Sequence, residues 1–238
     1  MPNKHLKVDG LEVELVRSRR RTLGLELGPH GVKARAPLRM SEAAIVDFVK
    51  IKRKWIDKHM VGMPPPGDTS KVKLVDGAQL KLRGQTLNLQ IEQGTRGRIK
   101  ISHDCLVVPV AHSHLPLEQR VKNKLVRWYK DVSQQELQRR ANYYAALMNV
   151  PKRRTDQIYV RDYKRRWGSC DSKGKLSFNW RILQAPTVVS DYVVVHELAH
   201  CHEFNHSKRF WTIVARQMPD YSDQENWLRT NGHQLYQF

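Results

Sequence analysis

The segment that decides how the C-terminal half of this 238-residue chain folds is Val193-Val194-Val195-His196-Glu197-Leu198-Ala199-His200-Cys201-His202-Glu203-Phe204-Asn205-His206. Residues four apart on an α-helix lie on one face, one turn apart, so His196 and His200 can direct two imidazoles at one metal ion. Glu197 is offset by roughly 100° and can instead reach a water on that metal. The spacing is typical of a hydrolytic metal site with two His ligands and a Glu general base.

A catalytic zinc site needs a third protein ligand, with the fourth position open to water. His206 is the best candidate, but an unbroken helix would turn by about 600° between His200 and His206. The helix must therefore end before His206, and Asn205 suits a left-handed cap. Ser207 can then cap a second helix. The apolar positions of that second helix are Phe210, Trp211, Val214 and Met218.

Two neighbouring residues offer alternatives for metal binding. Glu203 is the rival third ligand, because it follows His200 by three residues on nearly the same face. His202 lies about 200° around the helix from His200, which is more typical of a solvated or packed histidine than of a ligand. The apolar run from Tyr192 to Val195 favours a buried active-site helix over a chance match. We therefore expect one Zn²⁺ ion per chain.

Composition indicates a globular chain, with 40% hydrophobic residues. No run approaches the ~18 apolar residues of a membrane span, and Met1–His5 carries no apolar signal region. We expect a cytoplasmic protein without a membrane partner. The cysteines Cys105, Cys170 and Cys201 are odd in number and scattered, so a disulfide framework is not predicted.

The net charge is +19, which biases the surface towards polyanions or acidic substrates. The basic residues are spread along the chain, and no RNA-binding aromatic signature lies between them. This distribution favours a solvated basic surface with non-specific DNA contact over a dedicated nucleic-acid site.

Two series of alternating segments predict strands followed by helices. The first series covers residues 11–16, 22–27 and 32–36, a helix over 41–61 that Ser41 caps, and a Pro-rich linker over 62–70. The second covers 85–91, 98–101 and 105–108, then a long amphipathic helix from about 116 to 148. Because residues 85–91 echo 21–27, we hypothesise an internal duplication of a β-meander plus helix, which unrelated strand orders would exclude.

A small antiparallel sheet is predicted directly before the helix that carries His196 and His200, which we call the metal helix. Residues 157–161 and 176–182 read as strands, and the Gly- and Ser-rich stretch between them makes turns. The hairpin from Trp167 to Ile182 is the candidate edge that could hold an extended peptide by strand addition. The candidate substrate-binding residues are Arg165, Arg166, Trp167 and Asn179.

This half of the chain resembles the YgjP-like zinc metallohydrolases, relatives of the SprT-like and WLM-type zincins. The matching blocks, in order, are Arg166–Cys170, Leu176–Arg181, Asp191–His200, Asn205–Ser207 and Phe210–Trp211. The stretch Arg19–Thr22 and the pair Ala36-Pro37 also fit. The resemblance implies zinc at His196, His200 and His206 with Glu197 as base. It leaves the Trp-Gly-Ser-Cys block unexplained, and Cys170 is either a fourth ligand or, as we favour, a small buried hydrophobe.

These features together predict an α+β fold. N-terminal antiparallel β-meander and helix units over residues 1–115 precede a zincin-like domain over residues 116–238, which carries the small antiparallel sheet beside the metal helix.

Three functions compete. The first is a zinc-dependent peptidase acting on a protein or peptide, with an oxyanion donor among Tyr163, Arg166, Tyr192, Tyr221 and His233. The second is a nucleotide pyrophosphatase in which Lys164, Arg165, Arg166 and Lys173 hold a triphosphate; it lacks a Walker-type loop. The third is a DNA-binding protein with structural zinc, against which the intact Glu197 argues.

Overall fold

The computed structural model describes residues 4–28, 31–60, 72–236 and 238. In its first sheet, the first two strands are joined by a two-residue turn at Asp9-Gly10. Both turn residues have positive φ, 47° and 78°, as a type I′ hairpin requires. The turn joins β1 (Lys4–Val8) to β2 (Leu11–Ser18). The second hairpin pairs β3 (Gly24–Gly28) with β4 (Gly31–Pro37). The strand order is β1-β2-β4-β3.

Two helices follow this sheet where the sequence predicted one. Ser41 caps α1 (Glu42–Ile51), as expected, by accepting a hydrogen bond of 3.3 Å from the Ala44 N–H. The helical conformation is interrupted at Lys52, and α2 (Arg53–Met60) follows. The Ile56 N–H still donates to the Lys52 carbonyl at 2.8 Å, so the break is local. The predicted linker over residues 62–70 lies outside the described residues.

The second four-stranded sheet repeats the topology of the first. It contains β5 (Gln79–Leu82), β6 (Gln85–Gln93), β7 (Lys100–Ser102) and β8 (Cys105–Val110), in the order β5-β6-β8-β7. In both sheets the central pair is parallel and the outer pairs are antiparallel. Each first hairpin turns through two residues with positive φ, here Arg83 and Gly84.

The predicted duplication therefore agrees with the strand order, but not with the sequence echo that suggested it. That echo matched residues 85–91 with 21–27, which are β6 and β3. By position in the sheet, β6 corresponds to β2. The predicted antiparallel meander is correct for the hairpins only. The central strands β2 and β4, and likewise β6 and β8, are parallel, so each sheet is mixed.

The long helix α3 (Leu117–Leu147) packs on the second sheet and confirms the helix predicted over 116–148. Its buried face joins one core with residues of the sheet and with Trp180. The Tyr129 hydroxyl donates to the Lys81 carbonyl at 2.7 Å, and the Ser133 hydroxyl donates to the Trp180 carbonyl at 3.1 Å. Both polar groups are thereby satisfied inside the core.

A third, three-stranded sheet precedes the metal helix. It consists of β9 (Tyr159–Arg161), β10 (Gly168–Cys170) and β11 (Leu176–Asn179), in the order β10-β11-β9. The predicted hairpin is present, because β10 and β11 are antiparallel, while β9 pairs with β11 in parallel. β10 is thus an edge strand.

Helices complete the described chain and confirm the α+β class. They are α4 (Thr187–Ala199), α5 (Lys208–Gln217), α6 (Tyr221–Asn231) and 3₁₀ helices at Lys152–Arg154, Trp180–Gln184 and Gly232–Tyr236. Within the described ranges, no helix combines the length and apolar character needed to cross a bilayer.

The chain divides into two compact units, Met1–Ser70 with Arg229–Gln237, and Lys71–Leu228 with Phe238. The boundary at residue 115 remains a prediction about domains. Within the second unit, β5–β8 and α3 share one hydrophobic core.

An ion-pair network fixes α4 to α3. The Arg140 guanidinium pairs with Asp191 of α4 and with Glu136, whose Oε1 lies 2.9 Å from Arg140 Nη2. The side chains of Arg140 and Asp191 are only 14% and 12% exposed. Since water barely screens it, this pair resists separation of the two helices.

Replacement of Asp191 by Asn should therefore destabilise the protein. Loss of one partner from a buried pair typically costs roughly 3–5 kcal/mol, and Glu136 still pairs with Arg140, so we expect about 2 kcal/mol in urea unfolding. Asp57→Asn, which removes the exposed pair with Arg53, should cost less than about 1 kcal/mol. Equal losses in both variants would contradict the anchoring role of Asp191.

Candidate metal centre

The metal helix α4 is buried on nearly every side, from Val189 through Val195 and again from Glu197 to Ala199. It ends at Ala199, with His200 as its C-cap. The expectation that the helix ends before His206 is confirmed. The left-handed cap at Asn205 is wrong, because the chain leaves the helix earlier. The Cys201 and Glu203 N–H groups close turns onto the Leu198 and Ala199 carbonyls, at 2.9 and 3.0 Å.

The next helix holds the third histidine in place. Ser207 caps α5 as predicted, its hydroxyl accepting from the Phe210 N–H at 3.4 Å. Phe210 is fully buried, and its ring centroid lies 5.0, 4.6 and 4.7 Å from those of His196, His200 and His206. One aromatic ring therefore supports all three imidazoles.

The three predicted ligands converge. His196, His200 and His206 each offer a ring nitrogen, and these atoms all lie within 4.8 Å of one another. The Nε2 atoms of His196 and His206 are 3.0 Å apart. Zinc–nitrogen bonds of about 2.0–2.1 Å in a tetrahedron need nitrogens roughly 3–3.5 Å apart, a separation that the Nε2 atoms of His196 and His206 already have.

The protonation of these histidines also suits a metal. Burial, with His200 and His206 close by, lowers the pKa of His196 to about 3, so its imidazole is neutral near pH 7. The His200 Nδ1 lies 3.2 Å from the Glu203 carbonyl oxygen. When Nδ1 carries the proton and donates it there, Nε2 keeps its lone pair for a metal.

The alternative ligands lie apart from this cluster. In the described part of the chain, the three histidines alone form such a group. Glu203 contributes its backbone carbonyl to His200, and His202 Nε2 lies 3.0 Å from the Met148 carbonyl oxygen. The Cys170 thiol is half-buried and hydrogen-bonds with Cys201. This placement agrees with the preference for Cys170 as a packed side chain.

The carboxylate of Glu197 lies against the backbone of β10. A Cβ at Gly168 would come within 2.5 Å of Glu197 Cγ and Oε1, so only glycine leaves room for this side chain. The Cys170 N–H donates to the carboxylate. The contact explains two members of the Trp-Gly-Ser-Cys block, whose role the sequence left open.

The electrostatic setting of Glu197 is dominated by desolvation. The residue is 6% exposed, and burial raises its pKa to about 8, although the Cys170 N–H and the Arg166 guanidinium act in the opposite direction. A carboxyl group held in this way exchanges protons near neutral pH, as a general base requires.

Some backbone groups of β10 are not used in the ladder with β11. The Asn179 N–H donates to the Trp167 carbonyl at 2.7 Å, which makes these two residues a hydrogen-bonded pair of the antiparallel ladder. The backbone groups of Gly168 and Cys170 therefore point away from β11. This is the side on which Glu197 lies.

A cavity of about 310 Å³ opens beside Glu197 and His196. Two of the predicted substrate-binding residues, Arg166 and Trp167, line it. Its lining is Arg166, Trp167, Gly168, Tyr192, Val193, His196, Glu197, Glu225 and Leu228. Arg165 is not among these residues.

Asn179, predicted to bind substrate, is instead a buried structural residue. It is 0% exposed, and its Nδ2 donates to the Tyr163 and Arg166 carbonyls at 2.8 and 3.3 Å. A side chain so enclosed positions the loop before β10. Its place in an alternating strand gave no sign of this, because the partner carbonyls are more than ten residues away.

The oxyanion candidates separate by position. Arg166 and Tyr192 line the cavity with Glu197. Tyr221 stacks against Tyr192, with centroids 6.4 Å apart, and the ring of Tyr163 lies under the Arg166 guanidinium. His233 belongs to the other compact unit.

Sequence reasoning missed three residues that shape the site. Gly168 makes room for Glu197, Phe210 supports the histidines, and Glu225 adds a carboxylate to the cavity. The sequence placed Phe210 among the apolar positions of the second helix but did not show that its ring contacts the histidines. Glu225 carries no comparable signal.

A buried helix, three convergent imidazoles and an adjoining glutamate define a candidate hydrolytic metal centre on an α+β fold. The family model described as YgjP-like, metallopeptidase domain, matches residues 21–231. The chain belongs to this YgjP-like metallopeptidase family. No curated protein and no solved structure matched the chain.

His206→Ala should weaken metal binding severely, because two imidazoles remain where three converge. We expect a loss greater than the roughly 10–100-fold that follows removal of a residue which only orients a ligand. Zinc affinity can be measured by competition with a chromophoric chelator. His202→Ala is the matched control and should bind zinc like the parent. Full affinity in His206→Ala, with loss in Glu203→Ala, would assign the third ligand to Glu203.

Proposed function

We propose that the protein is a zinc-dependent peptidase in which His196, His200 and His206 hold the metal and Glu197 is the general base. The observation that carries this proposal is that one cavity is lined by His196 of the histidine cluster, by Glu197 and by Gly168 of β10. His200 and His206 converge on His196 beside that cavity.

A zinc ion held by these imidazoles would supply Lewis acidity, lowering the pKa of water towards ~7 and polarising a carbonyl. Glu197 would accept the proton of the attacking water on its carboxylate and deliver it to the leaving amine. Gly168 and the Cys170 N–H hold that carboxylate in one position, so little reorganisation is needed at the moment of reaction.

A peptide substrate would be held by strand addition to β10, since the outward backbone groups of an edge strand match an extended chain. The Cys170 N–H is not one of the groups offered to the substrate, because it already donates to Glu197. One substrate side chain would enter the cavity of about 310 Å³ beside Trp167 and Leu228. Arg166 and Tyr192, which line that cavity, are the proposed donors to the oxyanion.

The nucleotide alternative is less well supported by the arrangement of basic residues. Arg166 borders the Glu197 cavity, but Lys173 lines a separate groove with Arg153 and Arg154. A triphosphate at Glu197 would thus lack part of the predicted cationic cluster. A cytoplasmic location remains a prediction.

Glu197→Gln should retain zinc and lose turnover, because the amide cannot accept the proton of water. General-base catalysis typically contributes roughly 10²–10⁴-fold, and we expect a fall in kcat of at least about 100-fold. Release of amines from unfolded casein measures peptide cleavage, and release of pyrophosphate from nucleoside triphosphates measures the alternative.

Glu203→Gln is the control for this experiment, because its carboxylate lies outside the histidine cluster; it should retain parental turnover. Glu197-dependent pyrophosphate release without peptide cleavage would replace the peptidase proposal with the nucleotide one. Unchanged turnover in the zinc-loaded Glu197→Gln variant would remove Glu197 as the base.

Gly168→Ala should lower kcat while zinc affinity stays unchanged. The added methyl group would overlap Glu197 Cγ and Oε1, so the carboxylate must move, whereas the histidines are supported by Phe210. A displacement of about 1 Å can cost on the order of 100-fold in rate. Ser169→Ala, on the same strand, is the matched control. A Gly168→Ala enzyme with parental kcat would show that the position of Glu197 is not critical.

A further inference from the structure

A second concave surface, separate from the Glu197 cavity, gathers four cationic side chains. We call it the basic groove; its volume is about 460 Å³, and its charged lining residues are Arg153, Arg154, Lys173, Lys175 and Asp156. Four cations against one carboxylate give a local excess of three positive charges. No ion pair within the described residues involves any of the four cations.

Hydrogen bonds fix the hairpin that carries two of these cations. At the tip between β10 and β11, Asp171 Oδ1 accepts from the Lys173 and Lys175 N–H groups at 2.9 and 2.8 Å. The Gly174 N–H donates to the Asp171 carbonyl at 2.7 Å. Asp171 thus shapes the tip that presents Lys173 and Lys175 to the groove.

Arg154 fastens this tip to the 3₁₀ helix on the other side of the groove. Its guanidinium donates to the Lys173 carbonyl. It also packs on Gly174, where φ is +74° and a Cβ would overlap it. The backbones of the two walls are therefore tied together, which reduces the ordering cost when a ligand binds.

We propose that the basic groove binds the phosphate backbone of a nucleic acid strand. Arg153, Lys173 and Lys175 are exposed, and exposed cations contact phosphates with release of condensed counterions. A linear polyanion suits a groove whose cations come from two walls. An isolated phosphate instead needs several enclosed donors around one point. The overall charge of +19 would draw such a strand towards the protein.

Fluorescence anisotropy with a labelled 20-nucleotide single-stranded DNA of mixed sequence tests the proposal on the full, zinc-loaded chain. The variant is Arg153→Gln/Lys173→Gln/Lys175→Gln, which retains Arg154 because that residue fastens the hairpin. Loss of three contacts should reduce the slope of log K against log salt by about 2 and weaken binding on the order of 100-fold at 0.1 M salt.

The matched control is Lys122→Gln/Arg127→Gln/Lys130→Gln, which removes the same charge from a groove of about 600 Å³ that also contains Asp131 and Asp162. It should weaken binding less than about threefold. Thermal unfolding of both variants near the parental temperature shows that the fold is retained. Equal losses of DNA affinity in the two variants would mean that the overall charge binds DNA, and would overturn the proposal for the basic groove.

Competitors at matched ionic strength identify the ligand. Unlabelled RNA or DNA strands should displace the probe, whereas inorganic pyrophosphate and poly-glutamate should not. Displacement by pyrophosphate at micromolar concentration would make the groove a site for an isolated phosphate group. Displacement by poly-glutamate at equal charge would make it a site for acidic protein, and either result overturns the proposal. Binding in Glu197→Gln should equal that of the parent, so the outcome does not depend on the peptidase proposal.

Discussion

The buried carboxylate of Glu197 is the constraint on which the rest of this site depends. Burial raises the pKa of this carboxyl group, and the Cys170 N–H and the Arg166 guanidinium, which favour its charged form, offset that effect only in part. That arrangement requires glycine at position 168, places β10 beside the metal helix, and leaves β10 at the edge of its sheet. Asn179 extends the same constraint, because it holds the loop from which Arg166 projects.

What the sequence predicted about the metal centre was local. His196 and His200 share a face because of helix periodicity alone, and the turn before His206 follows from geometry. Ser207 was identifiable as a cap because a serine precedes the apolar pattern of the next helix, and its hydroxyl accepts a hydrogen bond from the Phe210 N–H. The end of α4 was not predictable in the same way. It occurs at Ala199, where turn hydrogen bonds replace the helical ones, and a left-handed Asn205 is not needed once the chain has already turned.

Features that depend on residues far apart in the chain could not be predicted from the sequence. Asn179 looks like any polar residue in a strand, and only the folded loop shows that its amide is enclosed. β1 was missed because the lysines at positions 4 and 7 mask its alternation, although Asp9-Gly10 is a strong hairpin signal. The sequence echo also paired β6 with β3, since short alternating segments resemble one another whatever their place in a sheet. Strand order, which long-range pairing sets, identified the corresponding strands as β6 and β2.

The charge of the chain shows why composition alone could not locate a binding surface. The role of a cationic residue depends on whether a carboxylate lies close enough to pair with it. Arg140 is committed to Asp191 and Glu136, and Arg181 is committed to Asp162; such pairs position helices and loops. Lys173 and Lys175 sit on a tip whose aspartate is occupied by backbone N–H groups. Among the described residues neither lysine forms an ion pair, and Lys175 Nζ lies 3.9 Å from the centroid of the Tyr159 ring. Neither charge is therefore paired with a carboxylate, in contrast to the charges of Arg140 and Arg181.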